Sequence, residues 1–226
     1  MIARIAPRAS CLIFFFVLSF ALKAQLSANF VATPTNGCAP LVVRFTDQST
    51  GSPTQWKWDL GNGTISFLQN PAVTYFNSGL YTIKLVIKKN NQVDSIIKTQ
   101  YINVYALPVV QFNSNANTGC YPLPIQFTDQ SNPGSGTIAS WNWDFGDGIT
   151  SNLQNPSHTY NSSGNFNVTL QVTNSFGCIT TLTRTNYIFI NSGVFADFTN
   201  SIPNSCSAPV TINFQRSEER RVGKEC

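Results

Sequence analysis

The chain has 226 residues, of which 42% are hydrophobic and only 11% charged, with a single histidine. So many aromatics against so little charge exclude charge-driven disorder and a coiled coil, and one histidine leaves few routes to acid–base or zinc chemistry. The formal charge of +4 comes from the two ends; residues 25–215 balance seven cations against seven Asp, which predicts no nucleic-acid partner.

Residues 1–24 read as a secretory signal peptide. Arg4 and Arg8 form a basic start, and the apolar run at residues 11–22 is too short to span a bilayer. Leu22 departs from the small residue preferred two positions before a cleavage after Ala24. The mature chain is expected to start at Gln25 and to carry no transmembrane segment. Export predicts a secreted or outer-surface location.

The strongest signal is internal similarity with a period of about 85 residues. Phe30, Phe112 and Phe198 each lie eight residues before a cysteine: Cys38, Cys120 and Cys206. After the first two, Arg44-Phe-Thr-Asp-Gln-Ser49 matches Gln126-Phe-Thr-Asp-Gln-Ser131. Trp56-Lys-Trp-Asp-Leu-Gly-Asn-Gly63 then matches Trp141-Asn-Trp-Asp-Phe-Gly-Asp-Gly148. Finally, Gln69-Asn-Pro-Ala-Val-Thr-Tyr75 matches Gln154-Asn-Pro-Ser-His-Thr-Tyr160.

Within each copy the pattern is that of strands. Tyr81, Ile83, Leu85 and Ile87 alternate with Thr82, Lys84, Val86 and Lys88. Phe166, Val168, Leu170 and Val172 alternate with polar residues. Period two with β-branched and aromatic residues predicts strands with one buried face. No segment carries a sustained helical period. About seven short strands per copy predict an all-β chain of tandem Ig-like sandwiches. The domains are expected at 25–105 and 108–191, with the truncated start of a third at 194–215. In that start, Phe195, Phe198, Ile212 and Phe214 would lie exposed. Residues 216–226 hold seven charges and every Glu of the chain. This tail resembles a translated sequencing adapter and is expected to be artefactual.

These blocks resemble the PKD domain, the polycystic-kidney-disease repeat of many bacterial surface proteins. The resemblance rests on Trp143-Asp-Phe-Gly-Asp-Gly148, on Asn155-Pro-Ser-His-Thr-Tyr160, and on Gly164 with Phe166-Asn-Val-Thr-Leu170. The first copy has Leu60, Asn62 and Val73 where the family usually has Phe, Asp and His. The resemblance implies non-catalytic modules that act as a spacer, or in adhesion or protein–carbohydrate contact, within a larger surface protein; the alternative is a set of N-terminal accessory modules of a secreted hydrolase such as a chitinase or protease.

Each block has a structural and a chemical reading. Trp58, Asp59, Gly61, Gly63 and Tyr75, with Trp143, Asp144, Gly146, Asp147, Gly148 and Tyr160, form the structural motif of core aromatics and turns. Trp56 and Trp141 are the candidate ligand-facing aromatics. Asp144 and Asp147 offer two carboxylates, fewer than a calcium loop uses, so they read as turn residues beside glycines with positive φ. His158, replaced by Val73 in the first copy, reads as half-buried packing. No nucleophile, phosphate or zinc motif is present, so no catalytic residue, metal or cofactor is expected. In an oxidising compartment disulfides persist. Cys120 and Cys178 are predicted to pair within the second copy, leaving Cys38 unpaired or bridged to another chain. Reduction would then weaken the second copy alone.

Overall fold

The computed structural model describes residues 25–192 and the strands at 198–201 and 213–216. Among these residues there is no helix, and none is long and apolar enough to cross a membrane. The two copies fold alike, each as one three-stranded and one five-stranded sheet facing each other.

In the first repeat, β1 (Phe30–Thr33), β3 (Leu41–Asp47) and β6 (Ala72–Tyr75) form the smaller sheet. The larger sheet runs β2 (Asn36–Cys38), β8 (Gln92–Tyr105), β7 (Gly79–Lys89), β4 (Gln55–Asp59), β5 (Ile65–Ser66). The second repeat follows the same order. Its smaller sheet joins β14 (Ser157–Tyr160), β11 (Leu123–Asp129) and β9 (Phe112–Ser114). Its larger sheet runs β10 (Thr118–Cys120), β16 (Ile179–Asn191), β15 (Gly164–Asn174), β12 (Ile138–Asp144), β13 (Thr150–Ser151).

The alternation read from the sequence sets the register. On β7, Ile83, Leu85 and Ile87 are buried while Lys84 and Lys88 are exposed. On β15, Val168, Leu170 and Val172 are buried in the same way. Each core closes on one indole. Trp58 packs against Phe30 and Phe45 at centroid distances of 5.1 and 5.6 Å, and Trp143 against Phe112 and Phe127 at 5.2 and 5.6 Å. A cation lies over each cluster: Lys98 Nζ is 4.6 Å from the Phe30 ring, and the Arg184 guanidinium 4.6 Å from Phe112.

Each repeat has eight strands rather than about seven. The additional ones are β2 and β10, three-residue segments that leave the smaller sheet's side and pair parallel with the last strand. Cys38 is thereby placed opposite Tyr105, where the first repeat ends, and Ala39 N donates to Tyr105 O at 2.9 Å.

That placement corrects the predicted disulfide. Cys38 is bonded to Cys178, not left unpaired, and its Cα lies 5.6 Å from that of its partner, 140 residues away in sequence. Cys120 is also disulfide-bonded, but not to Cys178. The reason is geometric. Cys120 is paired opposite Asn191, the last residue of β16, and Cys178 precedes the first. A strand of that length separates them by roughly 40 Å, whereas a disulfide needs Cα atoms within about 7 Å.

The junction between the repeats is closely built. Tyr105 stacks on Phe176 with centroids 3.9 Å apart and planes 12° off parallel. Buried Asn174 donates from Nδ2 to Ala106 O and Pro133 O, at 3.2 and 3.1 Å, and accepts from Phe176 N and Cys178 N. Ala106 N donates to Ser135 Oγ at 2.8 Å. Gly134, at φ 68°, lies so close to the linker that a Cβ there would sit 2.2 Å from Leu107 O.

A third pair, β17 (Phe198–Ser201) and β18 (Asn213–Arg216), is antiparallel. Arg216, assigned above to the tail, ends β18. The signal peptide, the burial of Phe195, Phe198, Ile212 and Phe214, and the tail after Arg216 lie outside the described residues.

Because Cys38 lies beside Tyr105, the disulfide closes a loop of about 70 residues through whichever repeat unfolds while the other stays folded. We expect Cys38→Ser or mild reduction to destabilise both repeats, each by about 4 kcal/mol in the chain-entropy limit. Hydrogen exchange resolved by repeat checks this; a loss confined to the second repeat would contradict it.

Candidate functional site

The repeated motif residues run the length of each sandwich, from Asp47 at the end of β3 to Tyr75 opposite its start. Asp47 ends β3 and receives Trp56 Nε1 at 2.7 Å, Gln69 Nε2 at 3.2 Å and Ser49 N at 3.0 Å. Asp129 repeats this with Trp141 Nε1 at 2.7 Å and Ser131 N at 3.0 Å. Trp58 and Trp143 are fully buried, and their indole N–H groups donate to Leu68 O and Leu153 O, each at 2.9 Å.

The turns follow the same economy. Asp59 Oδ1 accepts from Gly61 N at 3.0 Å, and Asp144 Oδ1 from Gly146 N at 2.9 Å. Gly61 and Gly146 take φ of 76° and 83°, and a Cβ would meet Thr82 O at 2.5 Å or Asn167 O at 2.4 Å. Only glycine fits so close to the neighbouring strand. Gly63 and Gly148 also have positive φ, 86° and 89°. Tyr75 and Tyr160 close the motif, donating to Leu60 O at 2.8 Å and Phe145 O at 2.9 Å. Burial pushes both phenols well above their ordinary range, with smaller parts from Tyr81 and Asp59 beside Tyr75 and from Asp147 and Asp144 beside Tyr160.

His158 has a partner that the sequence reading missed. Its Nε2 lies 2.7 Å from Asp147 Oδ2, and its ring stacks on Phe145 at 4.3 Å. The signal was present as a double difference between the copies, since the first has Asn62 and Val73 at these two positions. Asp147 Oδ1 meanwhile accepts from Ile149 N. Among the described residues, no three His, Cys, Asp or Glu side chains gather as a metal site would require.

Trp56 and Trp141 are half-buried, pack against the core clusters and commit their N–H groups to Asp47 and Asp129. Trp56 also lines a shallow groove of about 330 Å³ with Gln55, Lys57, Phe67, Val86 and Lys88. Phe67 is 69% exposed there.

The PKD domain family matches residues 25–104 and again residues 105–190. The chain belongs to the PKD domain family. Its two PKD domains resemble a microbial collagenase of Vibrio alginolyticus, with 38% identity over 106 residues, 46% of this chain and 12% of the relative. Collagenase ColQ1 of Bacillus cereus (strain Q1) is 42% identical over 71 residues, 31% of this chain and 7% of the relative. The chain therefore spans about a tenth of the length of these curated relatives. Among solved structures, the PKD1 domain of Vibrio anguillarum Epp is 30% identical, with 38% of this chain and 99% of that one covered at a TM-score of 0.34. The PKD1 domain of the Vibrio cholerae metalloprotease PrtV is 31% identical, with 37% and 98% covered at 0.33.

Asp47 yields a pH dependence. Burial raises its carboxyl, but the hydrogen bonds from Ser49, Trp56 and Gln69 outweigh this and hold it below the usual range. A carboxyl depressed on folding contributes stability above its unfolded value of about 3.9, which is lost as pH falls through the folded value. Wild type should thus lose more stability than Asp47→Asn between about pH 7 and about pH 2, read as the shift in urea midpoint. Separately, Tyr75→Phe and Tyr160→Phe each leave a buried carbonyl without its donor. Each should cost about 1–2 kcal/mol in the same measurement.

Proposed function

We propose that these PKD domains form a non-catalytic extracellular segment, a spacer that holds other parts of a surface protein away from the cell. The observation that carries this reading is the Cys38–Cys178 bond across the domain junction. A disulfide between domains suits an oxidising compartment, and with the Tyr105–Phe176 stack it removes the hinge a short linker would otherwise supply. The residues most strongly repeated between the copies are committed to packing, turns and internal hydrogen bonds. That is the pattern of a scaffold rather than of a reactive site.

A second reading is favoured by the collagenase relatives: the domains would be accessory modules of a secreted hydrolase that hold it on its substrate. The spacer reading expects small-angle scattering to show one fixed inter-domain distance, broadened by reductant, and no saturable retention on insoluble collagen, chitin or cellulose. Saturable retention on collagen would transfer the assignment to the accessory reading. A broad distance distribution in the oxidised chain would end the spacer reading.

A further inference from the structure

The near-neutral middle of the chain conceals an uneven distribution. Residues 25–105 carry six cations against Asp47, Asp59 and Asp94, while residues 106–192 carry Arg184 against Asp129, Asp144 and Asp147. Three of the six cations have structural or separate places. Lys89 donates to Gly51 O, Lys98 donates to Phe30 O, and Arg44 lies on the smaller sheet. The other three, Lys57, Lys84 and Lys88, are exposed on the outer face of the larger sheet. None has a carboxylate oxygen within 4 Å among the described residues.

They surround an apolar strip. Lys84 and Lys88 flank Val86 on β7, about 13 Å apart at that spacing, and Lys57 is directly opposite Val86. Two shallow hollows of about 330 and 180 Å³ share Lys57 and Val86, and together reach from Phe67 to Ile65. One carboxylate borders them: Asp59, opposite Lys84 in register, with Oδ1 held by Gly61 N. The second domain has the same backbone but none of this chemistry. Asn142, Thr169 and Thr173 replace the lysines, Gln171 replaces Val86, and Asn152 replaces Phe67.

We propose that this face of the first PKD domain binds a carboxylate-bearing polysaccharide, with one uronate-type charge per sugar ring. Sugar rings present C–H faces to Phe67 and Val86 while their carboxylates meet the ammonium groups. Spaced lysines with apolar surface between them match a sparsely charged chain better than a densely sulfated one. A peptide laid along this face gains little, because the backbone groups of β7, the strand at its centre, are paired on one side to β4 and on the other to β8. Nucleic acid would call for a longer cationic track and successive stacking rings. The proposal rests on the extracellular reading but not on the spacer, which scattering tests separately.

The second domain supplies the control substitutions, since the same fold already tolerates them. Polygalacturonate titrated into the whole chain should bind saturably and weaken as salt is raised, while neutral amylose should not bind. Replacing Lys57→Asn, Lys84→Thr and Lys88→Thr together should lower the affinity about tenfold, the sum expected of three exposed ion pairs. Phe67→Asn should weaken binding without changing its salt dependence. The reciprocal set Asn142→Lys, Asn152→Phe, Thr169→Lys, Gln171→Val and Thr173→Lys should add a second site, with unchanged thermal unfolding reporting intact folds. The proposal is overturned by no binding of polygalacturonate, by equal binding of amylose, or by undiminished binding of the triple variant. Tighter binding of dextran sulfate, poly-glutamate or duplex DNA would also overturn it.

Discussion

Each sandwich is organised by one indole held both through its ring and through its nitrogen. Trp58 is closed in by Phe30 and Phe45, and its N–H is spent on Leu68 O. That last bond ties the loop after β5 to the core, and the next residue, Gln69, shares the Asp47 carboxylate with Trp56. Trp143 does the same through Leu153. The buried tyrosine of each copy then ties the Gly-containing turn to the smaller sheet. One tryptophan and one tyrosine thus decide where the two loops lie, and the repetition of the block reflects that shared demand.

The junction is built from parts that are unremarkable singly. Cys38 reaches the domain boundary only because β2 changes sheets. Cys178 faces it only because the β15–β16 turn points back along the chain. Asn174 fills its hydrogen-bonding capacity with the linker on one side and its own turn on the other. The result is an array whose neighbours are oriented by covalent and polar contacts rather than by linker length.

Much of this architecture was legible in the residues. The copies, the strand alternation, the two core tryptophans and the positive-φ glycines follow from period and turn chemistry. The disulfide did not, because Asn36-Gly-Cys38 is too short to show a period, and pairing within a copy was the simpler inference. His158 with Asp147 was hidden because each was weighed alone rather than against the paired change at Val73 and Asn62. The lysine face was hidden by summing charge over a length in which the two domains differ in sign. In each case the missing information was which strand lies beside which.

The position of the disulfide also decides how the molecule carries a pull applied at its ends. Tension entering at Gln25 reaches Cys38 and can pass directly to Cys178, bypassing the chain between them. Residues 39–177 are off that load path, which crosses each core along a single strand, β1 in the first domain and β16 in the second, so stretching the oxidised molecule can extend only the segments outside the bond. The short parallel pairing of β2 with β8 lies next to this anchor, its hydrogen bonds aligned across the strands. An oxidised array would therefore behave as a tether of nearly fixed length, and a reduced one as a chain whose domains must bear the force themselves.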